Sequence, residues 1–363
     1  LNTLSGLIWG PITLILILGT GIFLSLGLKG FTFTYILVAF KQIFKKDEKA
    51  TDGEITSFQS LTTALSATVG TGNIAGVATA IYIGGPGAVF WMWVSALFGM
   101  ATKYAEAFLA IKYREKNANG ETVGGPMYYI KNGLSKNYII FAYLFALAGM
   151  IAALGIGNGV QVNSVSQVIE SEFGISAFTV GIFIALLVAL VILGGIKSIG
   201  KITSKLVPLM SAIYILGGLW IIVLNYTEVT YIFNLITTSA FTSTAATGGF
   251  AGATVWMALR YGVARGVFSN EAGLGSSPIA HAAANTNNPA KQGMISMLEP
   301  LIDTLIVCTI TAFVILMSNL WIGEINGAVL TVASFEQLLS NGKYIVIFGL
   351  ILFSFSTIIG WSY

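Results

Sequence analysis

Charged residues are scarce in this chain of 363 residues. Only 9% of positions are Asp, Glu, Lys or Arg, whereas 55% are apolar, and the mean hydropathy is +0.83. Soluble globular proteins carry roughly 25% charged residues. Because a water-facing surface must be mostly polar, this composition excludes a soluble globular domain and indicates that hydrocarbon is the solvent. The length accommodates roughly nine membrane spans of about 20 to 25 residues with short connections.

Cysteine and histidine each occur once, as Cys308 and His281. A single cysteine allows no disulfide within the chain, and these two residues are too few for a zinc cluster. A histidine-based metal site and a histidine relay are excluded for the same reason. The net charge of +3 gives no indication of a nucleic-acid partner. We expect no cofactor.

Apolar runs separated by polar breaks predict an all-α polytopic membrane protein. The polar segment 27–54, mixed in charge and with an amphipathic start, separates the first span from the rest. The nine predicted spans are residues 4–26, 55–83, 87–112, 138–168, 177–195, 206–225, 252–283, 294–318 and 344–363.

The basic residues are distributed unequally between the two sets of alternate loops. Loops 27–54, 112–137, 196–205 and 284–293 hold fourteen of the eighteen Lys and Arg residues, and the opposite set holds only Lys343. Cytoplasmic loops of membrane proteins carry an excess of Lys and Arg. The sequence therefore predicts a multi-pass protein of the cell membrane with the basic loops inside and the N-terminus outside.

Two predicted spans are interrupted near their middle. The segment Leu65–Gly76 places Gly70 and Gly72 around Thr71, and the segment Gly262–Ser277 combines four further glycines with two charges. Glycine is a poor helix former. Non-helical backbone at membrane depth persists only where it is buried in protein or lines a wet cavity. Both segments are therefore predicted to be breaks in membrane helices.

The two breaks lie five spans apart, so the two broken helices run in opposite directions. This pattern is typical of inverted repeats whose discontinuous helices meet at the membrane midplane. The predicted organisation is an extra N-terminal helix in 1–26, a cytoplasmic loop in 27–54, a first five-helix repeat in 55–225 and a second in 226–363. Because the sequence stops on an apolar motif without a polar tail, we expect the second repeat to be truncated within a helix.

The first break provides groups for both an anion and a cation. Amides of Thr71 and Gly72, freed at the start of a half-helix, suit a carboxylate, because that end carries the positive dipole. Carbonyl groups from Ser66 to Val69 suit a hard cation such as sodium, and Asn73 offers a side-chain oxygen to either. The alternative is a pair of packing or hinge glycines, which is common in membrane helices.

Several motifs along nearly the whole chain resemble the alanine or glycine:cation symporter family, and the first break resembles the unwound first core helix of LeuT-type transporters. The motifs are Ala67-Thr68-Val69-Gly70-Thr71-Gly72-Asn73, Gly84-Gly85-Pro86-Gly87-Ala88-Val89-Phe90-Trp91-Met92-Trp93, Gly99-Met100-Ala101-Thr102-Lys103-Tyr104-Ala105-Glu106, Gly124-Gly125-Pro126-Met127-Tyr128-Tyr129, Phe268-Ser269-Asn270-Glu271-Ala272-Gly273-Leu274-Gly275-Ser276 and Gly360-Trp361-Ser362-Tyr363. The resemblance implies sodium-driven uptake of alanine or glycine on a LeuT-type scaffold of two inverted five-helix repeats.

The resemblance also implies roles for individual residues. Amides of Thr71 and Gly72 would bind the substrate carboxylate. Carbonyls of Ser66 and Val69 would bind sodium together with the hydroxyls of Ser356 and Thr357. A second sodium position would map to Thr68 and Asn73, and whether it is filled is open.

Further candidate substrate contacts lie in three segments. Gln161 lies deep in the span 138–168, where it either contacts the substrate or hydrogen-bonds between helices. Phe268 and Trp361 are either walls of a small pocket or packing residues. Ser269 and Asn270 belong to the same motif as Phe268.

Ionisable side chains within the spans are expected to face the bundle interior in pairs. Glu299 and Asp303 are four residues apart and share a helix face. We expect one of them to pair with Arg260 or Arg265, the sharper alternative being a role in ion coupling. Lys103 and Glu106, three residues apart, are predicted to pair, and His281 is predicted to be a hydrogen-bonded polar residue at the inner mouth.

Three other classes of function are weighed against a carrier. A membrane hydrolase is not expected, because Gly273-Leu274-Gly275-Ser276-Ser277 lacks the Gly-x-Ser-x-Gly elbow. An ion channel also uses irregular backbone, but it commonly has symmetric subunits or polar rings. A sensor on a transporter scaffold would bind its amino acid without moving it. The expected partners are a small amino acid, sodium and the lipid bilayer, and the oligomeric state is left open.

Overall fold

The computed structural model describes residues 9–45, 53–243 and 253–363, and the regular structure within these ranges is almost entirely helical. A two-residue hairpin pairs Glu115–Lys116 with Thr122–Val123, and short 3-10 turns lie at Tyr226–Glu228 and Leu320–Ile322. The helices in chain order are α1 (Pro11–Gly27), α2 (Phe31–Thr34), α3 (Ile36–Ile43), α4 (Ser57–Thr68), α5 (Gly72–Gly84), α6 (Gly87–Tyr113), α7 (Pro126–Gly133), α8 (Lys136–Phe173), α9 (Ala177–Ile192), α10 (Gly195–Leu224), α11 (Val229–Ser239), α12 (Val255–Asn270), α13 (Ser277–Ala282), α14 (Pro289–Ser318), α15 (Gly327–Leu338) and α16 (Lys343–Trp361).

Within the described residues, five helices are long and apolar enough to cross a membrane: α6, α8, α10, α14 and α16. The bent pair of α4 and α5 makes six if it is counted as one span. Two further apolar helices, α1 and α9, are shorter, with 17 and 16 residues. The prediction of an all-helical polytopic protein is confirmed, whereas the count of nine spans and the division into two five-helix repeats stay predictions.

Large apolar side chains are exposed on the outer helices. Phe178 and Leu190 of α9 are 78% and 73% exposed, and Leu193, directly after α9, is 84% exposed. Contiguous apolar surface of this kind is unusual on a soluble monomer. Polar side chains such as Thr63, Asn270 and Thr311 are buried instead. This arrangement suits a protein whose outer surface faces lipid.

Small residues bring α12 close to α6. A Cβ atom on Gly262 would lie 2.3 Å from the carbonyl oxygen of Ala88, and one on Gly266 would lie 2.2 Å from Oγ of Ser95. Side chains at these two positions would push the helices apart. Close contact between small residues is a common way for membrane helices to associate. The helix that precedes the second break is therefore held tightly against α6.

The structure places helices in several predicted connecting segments, among them α7 in the predicted loop 112–137. Helices α11 and α15 lie in the predicted loops 226–251 and 319–343. With 11 and 12 residues, they are roughly 16 to 18 Å long at 1.5 Å per residue, which is too short to cross a bilayer core of about 30 Å. Helix α10 begins at Gly195, so the predicted loop 196–205 is its first part. The predicted segments 1–26, 27–54, 226–251 and 252–283 each extend into residues outside the described ranges.

Candidate functional site

The first predicted break lies between α4 and α5. Helix α4 begins with a capping box, in which Thr56 and Gln59 satisfy each other's backbone amides, and it ends at Thr68. Val69 has extended backbone angles, and α5 resumes at Gly72 with a π-helical turn through Gly76. The two half-helices meet at an angle of 51°. The break that the glycine pair predicts is confirmed.

The four groups predicted to hold sodium lie together at this break. Oγ1 of Thr357 is 3.2 Å from the carbonyl oxygen of Val69, and Oγ of Ser356 is 3.4 Å from that of Ser66. All four residues are buried. A Cβ atom at Gly70 would lie 2.4 Å from Oγ1 of Thr357, so glycine is needed for this approach. Carbonyl and hydroxyl oxygens facing each other across two helices are ligands that suit a hard cation.

The freed amide of Thr71 is directed at Gln161 on α8. It donates a hydrogen bond of 3.2 Å to Oε1 of Gln161, whose own amide nitrogen donates to the carbonyl oxygen of Ile156 at 3.2 Å. Both Thr71 and Gln161 are buried. A backbone donor that ends on a side-chain acceptor can be transferred to another acceptor when that side chain turns away. The structure thus brings these two predicted substrate contacts together.

Asn73 lies on the other side of the break. Its Oδ1 accepts a 2.9 Å hydrogen bond from the amide of Gly70, and its Nδ2 donates at 2.7 Å to Oδ1 of Asp303 on α14. Thr304 donates at 2.7 Å to the second carboxylate oxygen of Asp303. The hydroxyl of Thr68 donates within its own helix, to the carbonyl oxygen of Leu65 at 3.3 Å. A second sodium position at Thr68 and Asn73 therefore stays a prediction.

The second break separates α12 from α13. Helix α12 continues without interruption to Asn270, so the break is shorter than the predicted segment Gly262–Ser277. Glu271, Gly273 and Gly275 all have positive φ angles, of 55°, 89° and 80°. Glycine adopts such angles readily, whereas a residue with a side chain is strained there. The strained residue of this loop is Glu271.

The two breaks are in contact. A Cβ atom at Gly72 would lie 3.2 Å from the Cα atom of Ser269. Asn270, fully buried, accepts a hydrogen bond from the amide of Ala272 at 3.0 Å and donates one to Thr304 at 3.1 Å. Ser269 and Asn270 therefore join the residues of the first break at one place in the bundle.

A cavity of about 540 Å³ lies beside both breaks. Mainly small and apolar residues line it, together with a few hydroxyl groups such as those of Thr63 and Ser277. Trp361 is the one predicted substrate contact among its lining residues; Phe268 is absent from them, as are Thr71, Gly72, Asn73, Gln161, Ser269 and Asn270. Phe268 is half-buried, and the guanidinium group of Arg265 lies 5.6 Å from its ring centre. The two predicted aromatic walls are therefore not equivalent.

A buried ionic network lies next to the cavity and corrects two predictions. Glu299 accepts from Nζ of Lys103 at 2.9 Å, and its Oε1 lies 2.6 Å from Nε2 of His281; all three side chains are fully buried. Ser277 and Ser296 each donate to Glu299 at 2.8 Å. The network ties α6, α13 and α14 together.

The expected pairing of a carboxylate with an arginine is wrong. Arg260 donates to the carbonyl oxygen of Trp9 at 3.1 Å, and Lys103 reaches Glu299 because α6 packs against α14. The predicted pairing of Lys103 with Glu106 is also wrong, because Lys103 forms its ion pair with Glu299. The prediction that His281 is a hydrogen-bonded polar residue is confirmed, since it also contacts Ser60.

The model of the family described as "Sodium:alanine symporter family" matches residues 1–363. The chain belongs to the sodium:alanine symporter family. This symporter is therefore a multi-pass membrane protein of cation-coupled amino-acid transport, with sodium as the coupling ion, as the motifs indicated. The family assignment made from the sequence is confirmed.

Named relatives are similar over almost the whole symporter chain. The sodium/alanine symporter AgcS of Methanococcus maripaludis is 51% identical, covering 100% of this chain and 81% of its own. The putative sodium/proton-dependent alanine carrier protein YrbD of Bacillus subtilis is 39% identical, covering 99% and 76%. The probable sodium/glutamine symporter GlnT of the same organism is 37% identical, covering 98% and 74%.

Two further contacts of this symporter were not predicted from its sequence. Asp303 binds Asn73, and Glu271 accepts a 3.0 Å hydrogen bond from Nε1 of Trp361. The first contact joins residues 230 positions apart in the chain, and the second joins residues 90 positions apart. The sequence shows that these acidic residues lie within apolar segments. Such residues need buried partners, but the sequence does not indicate which residues those partners are.

Proposed function

We propose that this symporter carries alanine or glycine into the cell together with sodium, by alternating access between the two sides of the membrane. The observation that carries the proposal is the meeting of four oxygen atoms at the first break. The carbonyl groups of Ser66 and Val69 and the hydroxyl groups of Ser356 and Thr357 approach within 3.4 Å of each other in pairs. They are neutral oxygens in a buried place, which suits Na⁺.

The proposed substrate position is adjacent to this sodium position. The amides of Thr71 and Gly72 would hold the substrate carboxylate, because the start of α5 carries the positive end of its helix dipole. Gln161 would exchange its hydrogen bond with Thr71 for one with the substrate, and Asn73, Ser269 and Asn270 would complete the site. Sodium and carboxylate would then bind on either side of Val69 and Gly70, so each charge would favour the other's binding.

Selectivity for small side chains is proposed to come from rigid bulk beside the site. One methylene group changes binding in an apolar pocket by only about 1–3 kcal/mol. Rejection of larger amino acids therefore needs a wall that occupies their space. Trp361 is the proposed wall, because it lines the cavity and its indole nitrogen reaches Glu271 in the second break. Phe268 stays a candidate for a second wall.

Alternating access is supported by the two broken helices and by the residues that line the cavity. Two of its lining residues are Met127 of α7, which lies in the predicted loop 112–137 with its five Lys and Arg residues, and Ala280 of α13, which lies just before the predicted loop 284–293 on the same side. Such loops are typically cytoplasmic. The arrangement fits an inward-facing state of a LeuT-type inverted repeat with the N-terminus outside. In the outward-facing state the same site would open between the other ends of these helices.

Equilibrium binding of labelled alanine to the purified protein tests this function. With sodium we expect saturable binding, and with sodium replaced by potassium we expect it to be lost. Full-affinity binding without sodium would contradict coupling. Reconstituted vesicles extend the test: a sodium gradient should drive net alanine accumulation, whereas a sensor would bind without accumulating and a channel would show no saturation.

A further inference from the structure

Trp361 contacts the second break and α8, and the preceding Gly360 packs against the end of α4. Its indole nitrogen donates a 3.0 Å hydrogen bond to Oε1 of Glu271 in the second break. A Cβ atom on Gly157 would lie 2.5 Å from the Cβ atom of Trp361 and 2.6 Å from its Cγ, so the ring packs directly on α8. A Cβ atom on the preceding Gly360 would lie 2.7 Å from the backbone nitrogen of Ala67 at the end of α4.

Glu271 is itself fixed by the loop in which it lies. Its positive φ angle of 55° ends α12 in a left-handed turn, and its amide donates to the carbonyl oxygen of Val267 at 2.8 Å. Ser276, at the start of the next half-helix, donates to Oε2 of the same carboxylate. The side chain is 2% exposed. A residue other than glycine that has a positive φ angle is often kept by a functional constraint.

From this geometry we infer that Glu271 and Gly157 are positioning residues that set which side-chain sizes the symporter accepts, by fixing the indole ring of Trp361. The carboxylate holds one edge of the ring, and the missing side chain of Gly157 gives the ring its seat on α8. The inference rests on the proposed function, since it requires that Trp361 borders the substrate. Neither residue touches the substrate itself.

The physical reason lies in the rotamer of Trp361. A buried hydrogen bond to a carboxylate is among the stronger ones in proteins, and it selects one ring orientation. Without it, the indole ring can take other orientations, because the adjoining cavity of about 540 Å³ leaves it room to move. An indole ring that is free to move no longer excludes a substrate with a longer side chain. The affinity for alanine depends on the wall much less than the rejection of leucine does.

The test is competition of labelled alanine by glycine, alanine, valine and leucine, measured with sodium on the purified protein. For Glu271→Ala we expect the preference for alanine over leucine to fall about tenfold, the effect of one lost charge-assisted hydrogen bond. Glu271→Gln keeps an acceptor for the indole and should retain the parent's ranking. Gly157→Ala adds a methyl group under the ring and should also alter the ranking, whether or not Glu271→Ala folds.

A double-substitution cycle identifies the residue through which Glu271 acts. Trp361→Phe keeps an aromatic ring but has no N–H donor, so adding Glu271→Ala to it should change the ranking no further. Three outcomes would overturn the inference. The effects of Trp361→Phe and Glu271→Ala could be additive, or Gly157→Ala could keep the parent's ranking of competing amino acids. Alternatively, Glu271→Gln and Glu271→Ala could have equal effects. If Trp361→Ala itself keeps the parent's ranking of competing amino acids, the proposal that Trp361 is a wall of the site is contradicted. Alanine binding that does not require sodium would contradict the proposed function alone.

Discussion

Replacing Thr357 by alanine removes one of the four oxygens of the proposed sodium position. In the structure this hydroxyl is 3.2 Å from the carbonyl oxygen of Val69 and 2.9 Å from that of Phe353 in its own helix. The side chain is 2% exposed, so water does not readily take the place of the lost group. The carbonyl group of Val69 would then face the ion with one fewer ligand beside it.

The magnitude follows from the cost of leaving a buried polar group without a partner, about 1–3 kcal/mol. Because the hydroxyl is also lost from the sodium-free state, we take the lower part of this range. A change of about 1.4 kcal/mol corresponds to a tenfold change in a binding constant. We therefore expect the sodium concentration for half-maximal alanine binding to rise about tenfold in Thr357→Ala, with little change at saturating sodium.

Two variants provide matched controls for this measurement. Thr357→Ser keeps the hydroxyl and should keep a sodium dependence close to that of the parent. Ser354→Ala removes a fully buried hydroxyl from the same helix, and that hydroxyl has no hydrogen-bond partner among the described residues. It should leave the sodium dependence unchanged. The reasoning is refuted if Thr357→Ala has the sodium dependence of the parent. It is also refuted if Ser354→Ala raises the sodium concentration for half-maximal alanine binding to the same extent as Thr357→Ala.

Two further predictions concern selectivity and stability. Trp361→Ala should admit valine or leucine as competitors of labelled alanine and weaken alanine binding, and Phe268→Ala, assayed in parallel, should do the same if its ring is a second wall; an unchanged size ranking in both would make them packing residues. Glu299→Gln should lower stability by about 3–5 kcal/mol, because it leaves the fully buried charge of Lys103 unpaired. Thermal unfolding in detergent measures this, and Lys103→Met combined with Glu299→Gln should be less destabilising than Glu299→Gln alone; a double variant that is additively worse would contradict the pairing.

The broken helix around Gly70 could be predicted because its cause is local. Two glycines next to Thr71 weaken a helix whatever surrounds them, and a polar motif at membrane depth requires a buried site. The second break was predicted for the same reason, but its predicted bounds, Gly262–Ser277, were too wide. Gly262 and Gly266 lie inside an unbroken helix, where they serve close packing against α6. A glycine that packs and a glycine that breaks a helix look alike in sequence.

The residues of the candidate sodium position could be assigned from their resemblance to a family motif. Ser66 and Val69 were assigned together with Ser356 and Thr357 by resemblance, and the structure brings the four side by side. The partners of the buried charges were beyond the reach of sequence. Glu299 shares a helix face with Asp303, yet Glu299 contacts Lys103 and His281 on two other helices, while Asp303 contacts Asn73 at the first break.

The sequence by itself determined that the protein lies in a membrane, since the scarcity of charge leaves no other solvent for its surface. It also determined the first broken helix and the family, because these depend on short segments of chain. Only the tertiary structure decided which buried groups meet, that Glu271 holds Trp361 and that Phe268 lies outside the lining of the cavity. Such contacts depend on how helices far apart in the chain rotate and pack against one another, and hydrophobic periodicity leaves that choice open because lipid and protein interior are both apolar.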